Sequence, residues 1–302
     1  MAIADTKVYY ITAAGTTPED YITALQAHFA AAPGLWESKP GVSTITGQGL
    51  VIKPKAAGDY KHDVALRRVG TTDIAVATDP GKGITDTGSP SVAITGSASM
   101  SPEGRIGTAA FGSQSPDMLV IECSTAVFAF WQDTAKTAYP YGLHCGEGHK
   151  PQHDNDAAFG MDGSVNLVGV PASSGSPSWS STSEQTNGSR IRVFDVAGVA
   201  SWQQANFTAF PFSSSSAQYA AYPDAGRASP RKPSIRARIA SNQFVECGLM
   251  QYIAYVPSNS SDIGSLNPGR RLEGTVDIWL TVRNTNSTAG GMVPWEKGVL
   301  AQ

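Results

Sequence analysis

The clearest pattern near the start of the chain is a stripe of apolar residues with the spacing of an α-helix. Thr17 is a good N-cap, Pro18 suits the first helical position, and two acidic residues follow where the helix dipole favours them. Apolar residues then recur with 3.6-residue spacing at Tyr21, Ile22, Leu25 and Phe29. The sequence therefore predicts a helix over residues 17–32, preceded by a short strand and packed on a sheet. Docking of a partner is the alternative role for this helix.

After Pro40, apolar and polar residues alternate in short runs that are separated by turn residues. The alternation is strict at 234–240, where Arg236 and Arg238 share one face of a predicted strand. Such runs predict strands at 49–53, 62–69, 72–78, 91–96, 118–123, 125–131, 164–170, 190–197, 234–240, 243–256 and 273–283. Many short strands are typical of a mainly β fold, here a β-sandwich or barrel-like arrangement with one N-terminal α-helix and long loops.

Two stretches lack the alternation and predict long loops, namely residues 132–163 and the Ser-rich segment 171–189. The second stretch divides the chain into an N-terminal β-rich region, 1–170, and a C-terminal β-rich region with an extended tail, 190–302. A single decorated β domain is the alternative. No internal repeat of fixed period decides between the two.

The composition excludes several broad classes of protein. Of 302 residues, 41% are hydrophobic and 16% are charged, which is too apolar and too weakly charged for a chain that is disordered throughout. A net charge of -3 and a pI near 5.9 exclude a generally basic nucleic-acid coat. No apolar run approaches the roughly 20 residues that a membrane span needs, so we expect no membrane partner.

The N-terminal residues and the cysteines favour synthesis in a cytoplasm. Asp5 and Lys7 precede an apolar run that is too short for the core of a secretory signal peptide. Cys123, Cys145 and Cys247 are odd in number and form no CxxC pair. We therefore expect reduced thiols rather than a disulfide framework.

Three of the five histidines, His144, His149 and His153, lie close together, with Cys145 and several carboxylates among them. Imidazole, thiolate and carboxylate groups are ligands of transition metals, so the stretch is a candidate metal site. Its spacing fits no standard zinc motif, and a polar surface loop is the alternative. A metal-dependent hydrolase centred on 144–156 is the enzymatic hypothesis that follows.

Other catalytic motifs are missing from the sequence. There is no GxSxG nucleophile elbow, and Gly81-Lys82-Gly83 lacks the spacing of a phosphate-binding loop and is more typical of a β-turn. We therefore predict a protein that is not an enzyme and that has no cofactor.

Basic residues cluster at 227–238 and again at Arg270 and Arg271. Aromatic residues, which nucleic-acid-binding surfaces place among their cations, are absent from 227–238, so a nucleic-acid partner is not expected. Arginine is enriched at protein interfaces, and we expect Arg236, Arg238, Arg270 and Arg271 to contact other subunits. A solvated strand face is the alternative for this cluster.

Aromatic residues are concentrated between 131 and 222, much of it loop-like. They include Trp131, Tyr139, Tyr141, Trp179, Trp202, Phe207, Phe210, Phe212, Tyr219 and Tyr222. Aromatic side chains on loops form sugar- or partner-binding surfaces, and they also fasten loops to a core. A carbohydrate- or receptor-binding module is therefore the alternative function.

The C-terminal part of the chain combines short alternating runs, low charge and an apolar tail in the segments FVECGLMQYIAYVPSNSS and GRRLEGTVDIWLTVRNTNSTAGGMVPWEKGVL. Over residues 234–300 the chain resembles the virion structural proteins of tailed bacteriophages, which form the tail, neck and baseplate. The resemblance implies a subunit that is made in the bacterial cytoplasm and incorporated into the virion. It also implies a homo-oligomer that contacts other virion proteins.

The two ends of the chain suit such an assembly. Extended segments such as 1–10 and 285–302 bury little surface alone, so we expect them to add strands to adjacent subunits. The apolar residues of the tail, Trp295 among them, suit a groove on another subunit.

Overall fold

The computed structural model describes residues 6–87, 89–107, 114–134, 141–150, 161–171, 177–178, 189–194, 199–207, 234–240, 243–250, 254–256, 271–273, 278–283 and 290–294. Over these residues the fold is mainly β with a single α-helix near the N-terminus, which confirms the predicted fold class. No helix in this part of the chain has the length and apolar character needed to cross a bilayer.

The helix α1 runs from Pro18 to Ala31, close to the predicted bounds. The Thr17 hydroxyl accepts a hydrogen bond from Asp20 N at 3.2 Å, and the Asp20 carboxylate accepts one from Thr17 N at 3.0 Å. This reciprocal pair is a capping box that fixes where the helix begins. The helix ends at Ala32, whose φ of 47° lies in the left-handed region. All four residues of the predicted apolar stripe are buried.

Twenty strands are present in the described residues. The first ten are β1 (Thr6–Thr12), β2 (Trp36–Ser38), β3 (Gly49–Pro54), β4 (Asp63–Val69), β5 (Asp73–Asp79), β6 (Gly104–Gly107), β7 (Gln114–Cys123), β8 (Ala126–Asp133), β9 (Tyr141–Glu147) and β10 (His149–Lys150). The others are β11 (Met161–Pro171), β12 (Pro177–Ser178), β13 (Arg190–Phe194), β14 (Ala200–Phe207), β15 (Ser234–Ala240), β16 (Gln243–Met250), β17 (Ala254–Val256), β18 (Arg271–Glu273), β19 (Ile278–Arg283) and β20 (Gly290–Pro294).

A five-stranded antiparallel sheet is formed by β2 to β6 in chain order. Its strands β3, β4 and β5 confirm three of the predicted strands to within a residue at each end. The prediction of a strand at 91–96 is wrong, because Val92 and Thr95 form only isolated bridges. This segment instead covers the outer face of the sheet, where Ile94 packs with Val51 and Ala65.

An eleven-stranded antiparallel sheet has the order β1-β7-β8-β9-β11-β13-β14-β15-β16-β10, with β12 beside β11. Its strands β9 and β10 and the start of β11 lie inside the stretch 132–163, so the prediction of a long loop is wrong for residues 141–147, 149–150 and 161–163. Leu143 and Cys145 of β9 belong to the main core. The apolar residues Tyr141, Leu143 and Cys145 alternate along β9, but the glycines and the histidine between them are more typical of a loop.

The two large sheets pack face to face around the main hydrophobic core, in the manner of a sandwich. The five-stranded sheet contributes Leu50, Ile52, Val64, Leu66, Ile74 and Val76, and the eleven-stranded sheet contributes Met118, Val120, Val127, Ala129, Trp131, Leu143 and Val168. The apolar stripe of α1 belongs to the same cluster. Polar bonds also join the sheets: Thr78 Oγ1 donates to Val165 O at 2.9 Å.

The segment 171–189 connects β11 to β13, and these two strands are direct neighbours in the eleven-stranded sheet. Strands from both sides of the proposed boundary therefore belong to one sheet. This pairing favours the alternative of a single decorated domain, while the boundary itself stays a prediction.

A four-stranded sheet with the order β17-β20-β19-β18 contains the last described residues. Its strand β20 pairs with both β17 and β19 of the same chain. Likewise, β1 pairs with β7. Residues 6–12 and 290–294 are thus strands of this chain's own sheets, while the rest of the two end segments lies outside the described residues. Whether these ends also add strands to adjacent subunits stays a prediction.

Candidate functional site

The exposed edge of β1 is the feature of the described residues that is best suited to an interaction. This strand is the first in the order of the eleven-stranded sheet, and among the described strands only β7 pairs with it. The register is continuous from Thr6 opposite Cys123 to Thr12 opposite Asp117. The second edge of β1 is therefore the place where this sheet can be extended.

Backbone hydrogen bonds show which residues face the open edge. Ala13 N donates to Pro116 O at 2.9 Å, which continues the β1–β7 register by one further pair. In an antiparallel pair every second residue exchanges its bonds with the partner strand, so the odd-numbered residues of β1 turn their N–H and C=O groups toward β7. The even-numbered residues turn theirs outward, and among these are Val8, Tyr10 and Thr12.

This edge lacks the features that usually protect an edge strand. β1 is seven residues long, contains no Pro, Gly or bulge and carries one charge, on Lys7. Tyr10 is 63% exposed, more than any other large apolar side chain in the described part of the chain. The strands at the other sheet edges are much shorter: β10 has two residues and β2 has three. We define the open edge as Val8, Tyr10 and Thr12 of β1.

A buried polar group behind β1 holds this strand in place. The ring of Tyr9 contacts that of His28 edge to face, with 4.7 Å between the centroids. His28 Nε2 lies 2.7 Å from Oε1 of Glu122, which lies on β7 opposite Lys7. The open edge is therefore carried by a strand that both the β7 ladder and α1 fix, so a partner meets a preorganised surface.

The Glu122 carboxylate also binds the chain segment that follows α1. Glu122 Oε2 accepts a hydrogen bond from Trp36 N at 2.7 Å, and Trp36 Nε1 donates to Cys123 O at 2.7 Å. A Cβ at Gly34 would lie 2.2 Å from Glu122 Oε2, so only glycine permits this approach.

Burial raises the pKa of the Cys123 thiol to about 12. Its thiol forms no disulfide within the described residues.

His144 occupies a different environment from the polar loop suggested above. It lies on β9 and is completely buried, and its ring stacks on that of Phe128 with 4.1 Å between the centroids. Among the described residues, neither ring nitrogen of His144 has a hydrogen-bond partner. Desolvation by burial lowers the pKa of His144 to about 3, so the imidazole is neutral at pH 7.

The candidate metal site is only partly covered by the described residues. His149 lies on β10, and His153 lies outside the described residues. The Cys145 thiol is buried and donates to Asn166 Oδ1 at 3.4 Å, and burial raises its pKa to about 12. Within the ranges that the structure describes, no three His, Cys, Asp or Glu side chains come together in a group suited to a metal ion. The metal site with all three histidines stays a prediction.

The arginines expected at an interface fall in two different sheets. Arg236 and Arg238 lie on β15, where Arg236 is opposite Glu246 of β16 in the register. The sequence did not indicate that these two positions would pair. Arg271 lies on β18, whereas Arg270 and Trp295 lie outside the described residues.

Several residues of the aromatic cluster lie on strands and not on loops. Trp131 lies on β8 and is buried, and Tyr141 lies on β9. Trp202 lies on β14 and its Nε1 donates to Ser99 O at 2.7 Å; Phe207 is on the same strand. The remaining members lie outside the described residues: Tyr139, Trp179, Phe210, Phe212, Tyr219 and Tyr222.

Gly81 and Gly83 lie in a turn that is organised by a buried carboxylate. Asp79 accepts hydrogen bonds from Gly81 N at 2.8 Å, Gly83 N at 2.9 Å and Ser97 N at 2.8 Å. Backbone N–H groups that could cradle a phosphate are thus occupied by the chain's own side chain. This agrees with a β-turn at Gly81-Lys82-Gly83, and the role of Asp79 could not be seen in the sequence because Ser97 is distant along the chain.

No protein-family model matches the chain, and no curated protein shows significant sequence similarity to it.

Proposed function

We propose that this chain is a structural subunit of a tailed-bacteriophage virion, which assembles by protein–protein contacts into an oligomeric component of the tail, neck or baseplate. It is made in the cytoplasm of the bacterial host and incorporated into the particle. Its partners are further copies of itself and other virion proteins. Two observations support this proposal: the resemblance of residues 234–300 to such proteins, and the open edge of β1.

The open edge is the observation that carries the assembly part of the proposal. A long edge strand without Pro, bulge or several charges readily accepts another strand, and natural proteins usually keep such an edge where a partner covers it. Main-chain hydrogen bonds then supply affinity, while exposed side chains such as Tyr10 supply specificity. An edge of this kind is suited to a protein whose work is to bind neighbours.

The two alternative functions draw less support from the described side chains. The indole N–H of Trp202 is already used by Ser99 O, which removes a group that a sugar would engage. His144 is enclosed in an apolar stack and is not aimed at solvent. A carbohydrate- or receptor-binding module and a metal-dependent hydrolase therefore stay predictions from the sequence.

The test of the virion role is fractionation of a phage lysate on a density gradient, with peptide mass spectrometry across the fractions. We expect the chain to sediment with intact particles at a constant ratio to the major capsid protein. An abundant host cytoplasmic protein, followed in the same fractions, controls for trapped material. If the chain stays in the soluble fractions with that host protein, the virion role is wrong.

A further inference from the structure

We propose that the segment between β5 and β6 is a strap with two coupled anchors, the carboxylate of Asp79 and the indole of Trp202. The strap is described for residues 80–87 and 89–103. Asp79 ends β5 of the five-stranded sheet, and Trp202 lies on β14 of the eleven-stranded sheet. Loss of the Trp202 contact should therefore loosen the part of the strap that Asp79 binds. The inference goes beyond the virion role and does not depend on it.

Side-chain contacts, rather than a strand ladder, hold the strap on the five-stranded sheet. The β-bridges formed by its described residues are isolated. Lys39 Nζ donates to Lys82 O at 3.0 Å and to Ile84 O at 2.8 Å, and Arg67 Nη1 donates to Ser89 O at 3.1 Å. A segment that is held at separate points can open locally without disturbing the strands beneath it.

The two anchors meet in the turn from Ser97 to Met100, in which Met100 N donates to Ser97 O at 3.1 Å. Asp79 Oδ1 accepts a hydrogen bond from the Ser97 hydroxyl, and the same hydroxyl oxygen accepts one from Ser99 N at 3.1 Å. Ser99 O accepts a hydrogen bond from Trp202 Nε1 at 2.7 Å. A network of hydrogen bonds through two serines thus connects β5 to β14, and the bonds of such a network support one another.

The strap has two further attachments near this turn. Ser101 N donates to Thr78 O at 2.9 Å, and Thr78 N donates to Ser101 Oγ at 3.0 Å, at a site where both residues are completely buried. Arg192 Nη2 of β13 lies 3.4 Å from Ser99 Oγ, which is long for a hydrogen bond. Ser101 should therefore stay on β5 when the Trp202 contact is lost, so the loosening is confined to strap residues that precede it.

The strap covers the apolar outer face of the five-stranded sheet. Ile84 and Ile94 of the strap are buried and pack with Val51, Ala65 and Ala77 of this face. A strap that is loosened at its turn would bury this face less completely. The contact made by β14 therefore influences how well the N-terminal sheet is covered, although β14 belongs to the other sheet.

Amide hydrogen exchange of the full chain, measured by NMR, tests the coupling. Trp202→Phe removes the indole donor and keeps an aromatic ring. It should raise the exchange rates of the three amides that bind the Asp79 carboxylate by about five-fold or more, which corresponds to the loss of one hydrogen bond. The exchange rate of the Ser101 amide should stay unchanged, because its acceptor is Thr78 O.

Gln203→Ala is the matched control, because Gln203 is the neighbour of Trp202 on β14 and its Nε2 donates to Ser201 Oγ of the same strand at 3.0 Å. It should leave the exchange rates of the strap unchanged. Circular dichroism and thermal unfolding establish that each variant is folded. A folded Trp202→Phe variant in which the amides bound to Asp79 exchange as in the wild type would overturn the proposal.

The reverse experiment separates coupled anchors from two unrelated contacts. Ser97→Ala removes the hydroxyl that joins the anchors, and should speed the exchange of the Trp202 indole N–H, whose resonance is assigned by its absence from Trp202→Phe. In the double variant, the increase in exchange at Gly81 and Gly83 should be smaller than the product of the two single increases. An increase equal to that product, or an indole N–H that Ser97→Ala leaves unchanged, would show that the anchors act independently and would overturn the proposal.

Discussion

Glu122 accepts a hydrogen bond from the backbone N–H of Trp36 at 2.7 Å, although Glu122 is completely buried. Its other carboxylate oxygen lies 2.7 Å from Nε2 of His28. One side chain on β7 thus fastens both α1 and β2 to the eleven-stranded sheet. Because His28 also contacts Tyr9, this carboxylate supports the strand that carries the open edge.

Glu122→Leu should lower the free energy of unfolding by about 3–5 kcal/mol, because it leaves His28 and the Trp36 N–H without their acceptor in a buried site. Glu122→Gln keeps one acceptor oxygen and should cost less, about 1–2 kcal/mol. Urea unfolding at pH 7 measures both changes. Glu19→Gln is the control, since Glu19 pairs with Arg68 at the surface and its replacement should cost less than about 1 kcal/mol. Equal stability of Glu122→Leu and wild type would contradict this account.

A second prediction concerns the Asp79 carboxylate, which accepts hydrogen bonds from three backbone N–H groups. Asp79→Ala removes the acceptor shared by Gly81, Gly83 and Ser97, and should lower the free energy of unfolding by about 3 kcal/mol or more. The segment held by these bonds covers the outer face of the five-stranded sheet, so hydrogen exchange of its amides should rise as well. Asp73→Asn, at the other end of the same strand, is the matched control and should leave both measurements nearly unchanged. Unaltered exchange in Asp79→Ala would argue against this role.

The strands that the sequence predicted well are those with a short apolar run between polar residues. In β4 and β5 such runs are buried on both faces of the sheet, and the predicted bounds match the structure to within a residue. In β9 the apolar residues Tyr141, Leu143 and Cys145 do alternate, but glycine and histidine stand between them and are more typical of a loop, although these residues are buried in the structure. The sequence pattern records the chemistry of each residue and not its burial.

The candidate interface was harder to predict, because the edge position of β1 depends on the pairing of distant strands. The segment VYYIT indicated a strand, but nothing in it showed that β7 would cover one edge and leave the other open. The same limit applies to Arg236, since its position opposite Glu246 follows from a hairpin register that contains a bulge. Burial of Glu122 and Asp79 likewise depends on contacts between segments far apart in the chain.

The burial of His144 predicts that the free energy of unfolding depends on pH. Its pKa is about 3 in the folded chain and near 6.5 when exposed, so the unfolded state binds more protons between these values. The stability is fully present above pH 6.5 and falls as the pH is lowered, by up to about 1.4 kcal/mol per pH unit from this residue. His144→Leu should remove this part of the slope, as measured by urea unfolding at several pH values. Ile121→Val, on the same face of the sheet, should keep the wild-type slope. Identical slopes for His144→Leu and wild type would show that this histidine is not buried as a neutral group.

A substitution at Asn166 tests how the eleven-stranded and five-stranded sheets pack against each other. Its Nδ2 donates to Val76 O and Pro102 O, both at 3.1 Å, so a buried amide on β11 binds carbonyls of the five-stranded sheet and of the segment before β6. Asn166→Asp replaces the donor with a carboxylate that faces two carbonyl oxygens, and should cost about 4 kcal/mol or more at pH 7. Burial beside acceptors raises the pKa of such a carboxyl group, and the neutral acid regains one donor. The loss relative to wild type should therefore shrink as the pH is lowered.

The matched control for that substitution is Gln203→Glu, because it makes the same chemical change on β14 at a partly exposed position. It should cost less than about 1 kcal/mol and should show no such recovery at low pH. Denaturant unfolding of both variants across the same pH series measures the difference. If Asn166→Asp were as stable as Gln203→Glu at pH 7, the amide could not lie between the sheets, and the face-to-face packing that fixes the orientation of β11 would be wrong.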